Sequence, residues 1–251
     1  MNSLIILPEE RLSPELGEIR GQRADELCEL HELKVGIRIR AAELNGLRGE
    51  ATVLEVSPGL LRLGLCLDTS PLPPNPLHLL IAVPRPQTVK KVLQSATSLG
   101  VQSIFFSGTE RGIKSYLQSK SLLPGAIRDE IITGLSQACD SVAPQVEICR
   151  SLKHLMRIRL AEQDWYPQAL RLVAVTGEAP AQPLSSLKLQ SSGQPAVIAI
   201  GPEAGWSIEE IELFQSAGFL AISLGPRILR VETAVCCLIA QLDMLRAINP
   251  R

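Results

Sequence analysis

The chain has 251 residues, 45% of them apolar and 20% charged, with 25 Lys and Arg against 26 Asp and Glu. That length and balance fit one large or two smaller folded domains and exclude a disordered chain. Aromatic residues make up only 3%, which argues against a stacking-platform RNA binder, and residues 1–72 (8 basic, 12 acidic) and 73–251 (17 basic, 14 acidic) both lack the basic excess of a general nucleic-acid binder.

In chain order, Met1-Asn2-Ser3 carries no basic residue and Pro8-Glu9-Glu10 cuts the first apolar run short, so no signal peptide is expected. No apolar run reaches the ~18 residues of a membrane span, and the expected compartment is the cytoplasm. Arg23–Leu33 reads as a helix. Ile37–Arg40 alternates as a strand, Asn45-Gly46 signals a hairpin turn, Ala51–Val56 is a second strand, and Leu60–Leu67 a third after Ser57-Pro58-Gly59. Three prolines in Pro73-Pro74-Asn75-Pro76 mark a boundary, giving a small barrel-like domain over 1–72 and a second domain over 73–251.

Beyond that break strands and helices alternate. Strands are expected at Leu77–Val83, Val101–Phe106, Val146–Cys149, Leu172–Val175, Ala196–Ile200 and Leu220–Leu224. Helices are expected at Gln87–Leu99, Ala126–Cys139, Leu152–Glu162, Ile208–Ala217 and Val231–Ala247. This pattern predicts an α/β fold with a mainly parallel sheet covered by helices. Gly177–Pro195, rich in Ser, Pro, Gln and Gly, reads as a surface loop or loose linker. Ser207 and Glu210 have capping-box spacing, a local structural device to which we assign no chemistry.

The six cysteines, Cys28, Cys66, Cys139, Cys149, Cys236 and Cys237, show neither CxxC spacing nor a Cys/His cluster, so no metal site is expected. Cys236 and Cys237 read as small buried hydrophobes. No GxGxxG, P-loop or Gly-x-Ser-x-Gly motif occurs, and His31, His78 and His154 lie far from any evident nucleophile. What remains is a pair of glycine loops, Gly201–Trp206 and Gly225–Arg230, each entered from an apolar strand. In a parallel sheet such loops can face one crevice. Backbone groups with Leu and Ile side chains suit a neutral purine and an aliphatic tail, while Arg227 and Arg230 at the mouth could meet an anionic polymer.

Ile200–Ser207 (Ile-Gly-Pro-Glu-Ala-Gly-Trp-Ser), Glu209-Glu210-Ile211, Gly218-Phe219 and Leu224–Ala234 (Leu-Gly-Pro-Arg-Ile-Leu-Arg-Val-Glu-Thr-Ala) resemble the C-terminal signature of the RsmE family, the 16S ribosomal RNA uridine-N3 methyltransferases of the SPOUT superfamily. The resemblance is dense over about 45 residues, and the layout agrees over the whole chain. It implies a knotted (trefoil) α/β domain preceded by a PUA-like β-barrel for RNA, a homodimer, S-adenosyl-L-methionine as cofactor, and 16S ribosomal RNA or the small ribosomal subunit as partner. It further implies that Ile200, Gly201, Pro202, Glu203, Gly205, Leu224, Gly225, Ile228, Leu229 and Thr233 enclose the cofactor. Arg230 and Arg227 would stabilise charge on the base or bind its phosphate; Glu232 is either the general base or a structural partner of Arg230 or of the last helix. Arg23, Arg38, Arg40, Arg111 and Arg227, with Arg20, Lys90, Lys91 and Lys114, are candidates for RNA phosphate.

Departures from the family pattern bear on substrate recognition. Ala204 replaces a glycine, Ser95 and Ser98 replace a lysine and a glutamate, Ser136 replaces a glutamate, and Leu30-His31-Glu32 stands where an arginine is usual. The alternative reading is therefore a non-catalytic or differently targeted relative that still binds the cofactor and RNA.

Overall fold

Two runs of residues, 2–176 and 181–248, are described by a computed structural model. The first of two units comprises Met1–Pro74 together with Ile131–Ala143; the second comprises Asn75–Glu130 and Pro144–Arg251.

The first unit holds a six-stranded sheet in the order β1-β4-β5-β6-β3-β2. Its strands are β1 (Leu4–Ile6), β2 (Arg11–Ser13), β3 (Leu16–Arg20), β4 (Arg38–Glu43), β5 (Arg48–Ser57) and β6 (Leu60–Thr69), with helix α1 (Gln22–Leu30) between β3 and β4. All ladders are antiparallel except β1 against β4. The alternating residues Ala51 and Val53, and Leu61, Leu63 and Leu65, turn inward onto Leu4, Ile6, Ile19 and Leu27. The β4–β5 hairpin tip explains why residues 131–143 belong to this unit. Asn45, at φ +59°, donates its N–H to the Ser141 carbonyl (2.7 Å); its Oδ1 accepts the Ala143 N–H, and Ser141 Oγ donates to the Gly46 carbonyl.

The second unit is a seven-stranded parallel sheet in the order β11-β13-β10-β12-β7-β8-β9. These strands are β7 (Asn75–Ala82), β8 (Val101–Ser107), β9 (Gln145–Cys149), β10 (Leu170–Ala174), β11 (Gln182–Pro183), β12 (Ala196–Ile200) and β13 (Leu220–Ser223). Helices α2 (Pro86–Ser98), α3 (Pro124–Ala138, which from Ile131 onward belongs to the first unit), α4 (Leu152–His154), α5 (Ile208–Ser216) and α6 (Val231–Ile248) are interspersed, and α4 runs into a π-helical turn at Leu155–Arg159. Every residue of β12 is buried, as befits a strand covered on both faces. On one face Val197 and Ala199 pack with Leu80, Phe105 and Val173 under Leu155, Met156 and Phe214. The alternate residues Ala196, Ile198 and Ile200 face the other side, where α6 lies against β12 and α2 against both α6 and β8. Among the described residues no helix is long and apolar enough to cross a membrane.

Three sequence expectations need correction. The three N-terminal strands were not anticipated, because each is only three to five residues long and β1 is completed by a partner far along the chain. Residues 181–195 are not a plain surface loop: Gln182–Pro183 pairs with β13, and Leu184 and Leu187 are buried; Gly177–Pro180 lie outside the described residues. Cys236 and Cys237 are half-buried rather than buried, while Cys149 is the buried thiol, and burial pushes its pKa up to about 11.

Candidate functional site

Because the strands of the second sheet are parallel, the loops that follow β7, β8, β9, β10, β12 and β13 all leave from one edge. The two glycine loops therefore share that edge, on the two strands that flank β10. Open parallel sheets bind ligands at this edge.

The loop after β12 is tightly anchored. Gly205 donates its N–H to the Pro202 carbonyl (2.8 Å), and its φ of +72° closes the turn. Ala204 adopts no positive φ, so its methyl group is tolerated and the family's glycine is not needed there. Trp206 is buried, donates Nε1–H to the Ala174 carbonyl (3.1 Å) and meets the Phe214 ring edge-on at 4.8 Å. The predicted capping box is present: Ser207 Oγ accepts the Glu210 N–H, and Glu210 Oε2 accepts the Ser207 N–H. Glu210 does more than cap, since its Oε1 also accepts the Glu110 N–H (2.8 Å) from the loop after β8. Glu203 accepts the Arg85 N–H (3.3 Å) from the end of β7.

The loop after β13 is open. Gly225 has φ +103° and nothing within 4 Å of where a β-carbon would stand. Its N–H donates to Ser223 Oγ (3.1 Å), which in turn donates to the Gly225 carbonyl (3.4 Å). Ile228 is 83% exposed, Leu224 and Leu229 are half-buried, and Arg227, Arg230 and Thr233 are exposed. Among the described residues no hydrogen bond reaches the backbone of Ile228 or Leu229. Glu232, in the first turn of α6, pairs with Lys91 (3.3 Å) on α2 rather than with Arg230. Partial burial pushes the Glu232 carboxyl up. Its own backbone N–H, the Lys91 ammonium and the Arg230 charge more than offset this and leave it below the usual carboxylate range.

The candidate RNA residues divide into committed and free. Arg23 donates to Glu10 (2.6 Å) and to the Ile5 carbonyl, so it holds the N-terminal segment. Arg20 pairs with Glu18, Lys90 with Glu130 and Lys91 with Glu232. Arg38 and Arg40, two residues apart on β4, are exposed on one face, with Arg40 opposite Glu50 in the ladder. Arg111 reaches only the Ala204 carbonyl, at 3.4 Å. Two of the substituted serines have internal partners. Ser98 Oγ donates to the Gln94 carbonyl, and buried Ser136 donates to the Ser3 carbonyl while its own carbonyl accepts the Asn2 and Ser3 N–H groups.

The sequence places Trp206 at the end of the first glycine loop but passes over Arg85 and Glu110 as parts of this edge, since their relation to the loop exists only once three strands lie side by side.

An RNA methyltransferase domain model matches residues 71–243. The ribosomal RNA small subunit methyltransferase E of Treponema pallidum (strain Nichols) is 31% identical over 82% of this chain and 76% of its own length. Two solved structures share the fold over 97% of this chain and 98% of theirs. One is a ribosomal RNA small subunit methyltransferase E from Neisseria gonorrhoeae bound to S-adenosyl methionine (TM-score 0.77, 21% identity); the other is a Legionella pneumophila chain solved with bound SAM (TM-score 0.78, 24% identity).

Proposed function

Because this chain belongs to the ribosomal RNA small subunit methyltransferase E family, we propose that it is an S-adenosylmethionine-dependent methyltransferase acting on N3 of a uridine in 16S ribosomal RNA. The observation that carries the reading is the pairing of the two glycine loops on one sheet edge, one anchored and one open, on either side of β10.

The residues present fit the donor. The open space at Gly225 admits a flat ring close to the backbone, and the unbonded amides and carbonyls of Ile228 and Leu229 match the donors and acceptors of an adenine edge. Ile200, Leu224, Ile228 and Leu229 offer an apolar lining. Gly201, Pro202, Glu203, Gly205 and Thr233 complete the enclosure. When bound, the cofactor supplies an electrophilic sulfonium methyl group. Arg230, exposed at the start of α6, balances the negative charge that develops on uracil as N3 loses its proton. Glu232 is a poor proton acceptor at its lowered pKa; its role in this reading is to hold Lys91 and the first turn of α6.

The same reading takes residues 1–72 as a PUA-like barrel that binds RNA, with Arg38 and Arg40 on its exposed face, and residues 73–251 as the transferase domain. Its C-terminal part is a trefoil knot. Support for the knot lies in the strand order, since the chain passes from β12 to β13 across β10. The working form is a cytoplasmic homodimer.

The test is transfer of labelled methyl from S-adenosylmethionine to small subunits lacking the modification. Label at a uridine N3 of 16S RNA supports the proposal. Label in another RNA, or donor binding without transfer, contradicts it. Arg230→Ala is expected to lower the rate by ~100-fold while donor affinity stays unchanged; normal turnover would refute the role given to Arg230.

A further inference from the structure

A cavity of about 900 Å³ opens at the same sheet edge, lined by the segments that follow β7, β8 and β9 and by α5. None of its lining residues belongs to the loop after β13 or to Gly201–Trp206, so it is separate from the donor loops. Its volume lies within the ~300–1,000 Å³ range of small-molecule sites.

The lining is polarised apart from one exposed carboxylate, Glu110, which follows β8 on the cationic side. Lys114, Arg150, Lys153 and Arg157 come from the segments after β8 and β9. All four are exposed, and among the described residues none has a carboxylate within 4.0 Å. Arg159, on the same turn as Arg157, is by contrast neutralised by Glu147. Four unneutralised cations around one cavity form an electrostatic site for phosphate. The α5 side contributes Glu209 and Glu212, exposed and without an ion pair among the described residues. Glu209 is kept below the usual carboxylate range by its own backbone N–H and by the Ser207 hydroxyl, so it is ionised. The Thr109 hydroxyl, also in the lining, has no hydrogen-bond partner among the described residues.

The scaffold beneath the cavity is fixed. Gly108 donates its N–H to the Cys149 carbonyl (3.0 Å) and accepts the Leu152 N–H (3.1 Å). A β-carbon at Gly108 would lie 2.4 Å from the Arg150 carbonyl oxygen, so only glycine lets the two strand ends come this close. The bond from Glu110 N–H to Glu210 ties this scaffold to α5.

We propose that this cavity binds one ribonucleotide of the RNA strand other than the methylated uridine, with its phosphate on Lys114, Arg150, Lys153 and Arg157 and its base turned to Glu209 and Glu212. The carboxylates select the base. Guanine presents adjacent N1–H and N2–H donors that match the two oxygens of one carboxylate. Uracil presents a single N–H between two carbonyls, which a carboxylate repels. A reversed ligand would set phosphate against carboxylate, so the polarity also fixes the direction of the strand. The inference rests on the reading of the chain as an RNA methyltransferase. It names a flanking guanosine as a determinant of which site is chosen.

Calorimetric titration of the full chain, saturated with S-adenosylmethionine, with guanosine and uridine monophosphates tests it. Guanosine monophosphate is expected to bind at least ~10-fold more tightly than uridine monophosphate. Arg150→Ser with Arg157→Ser should weaken guanosine monophosphate by ~10-fold or more, and Glu212→Gln with Glu209→Gln should abolish the preference over uridine; all four residues are exposed, and the donor affinity of each variant checks that the fold is kept. Equal binding of the two nucleotides, unchanged affinity in the arginine variant, or displacement of guanosine monophosphate by the donor would overturn the proposal. Failure of the methyltransferase reading would be seen separately, as absence of donor binding in a first titration without nucleotide.

Discussion

The two glycine loops share an edge and a residue type, but they are built differently. Gly201–Trp206 is pinned by a buried indole, a capping carboxylate and a backbone turn. Gly225–Arg230 has its glycine held by one serine side chain, Ser223, and leaves Ile228 in solvent. The first is a wall finished before any ligand arrives; the second has apolar surface and backbone groups that a ligand would complete. An exposed apolar side chain gains free energy when a ligand covers it, and hydrated backbone groups can exchange water for ligand at little cost. On this account the anchored loop sets position and the open loop supplies binding energy.

The largest expected effect comes from breaking the anchor. Trp206→Ala removes a buried ring together with its hydrogen bond, and thermal or chemical unfolding should show a loss of about 3–5 kcal/mol. Donor affinity should fall with it, because the wall leaves Ala174.

A second expectation concerns the sheet interior, far from either loop's tip. His78 is buried, stacks on Trp165 at 3.4 Å and lies 2.7 Å from Ser103 Oγ. Burial, with the Arg246 charge adding to it, lowers its pKa to about 4. The unfolded chain, near 6.5, then binds the proton first. Stability should be at its plateau above pH 6.5 and decline by about 3 kcal/mol as pH falls to 4. The measurement is the pH dependence of unfolding for the native chain minus that of His78→Gln. A flat difference between pH 6.5 and 4 would contradict the burial argument.

The smallest effect on stability is expected at the open loop. Ile228→Ser should change unfolding free energy by less than ~0.5 kcal/mol. The same change should weaken the donor by ~10-fold, as a lost apolar contact would. Equal losses in stability and binding would erase the contrast between the loops.

How far these features were legible in the sequence follows from their range. β12 was read to the residue, because five consecutive apolar residues bounded by Pro195 and Gly201 describe a central strand. The capping box was legible too, since Ser207 and Glu210 carry it within one helical turn. Leu184 and Leu187 were hidden in a polar stretch, where two buried side chains do not register as periodicity. Lys91 as the partner of Glu232 was not legible, because 141 positions separate them and only the packing of α2 beside α6 joins them. The polarised cavity was equally invisible, as its cations and the α5 carboxylates come from segments about 50 to 100 residues apart.

Amide hydrogen exchange with and without S-adenosylmethionine tests the central claim most directly. The account predicts that Gly205 and Ser207 exchange slowly in the free protein, while Gly225 and Arg227–Arg230 exchange fast and become protected when the donor is added. Protection of 225–230 before addition, or a donor that protects other segments and leaves these amides unchanged, would contradict it.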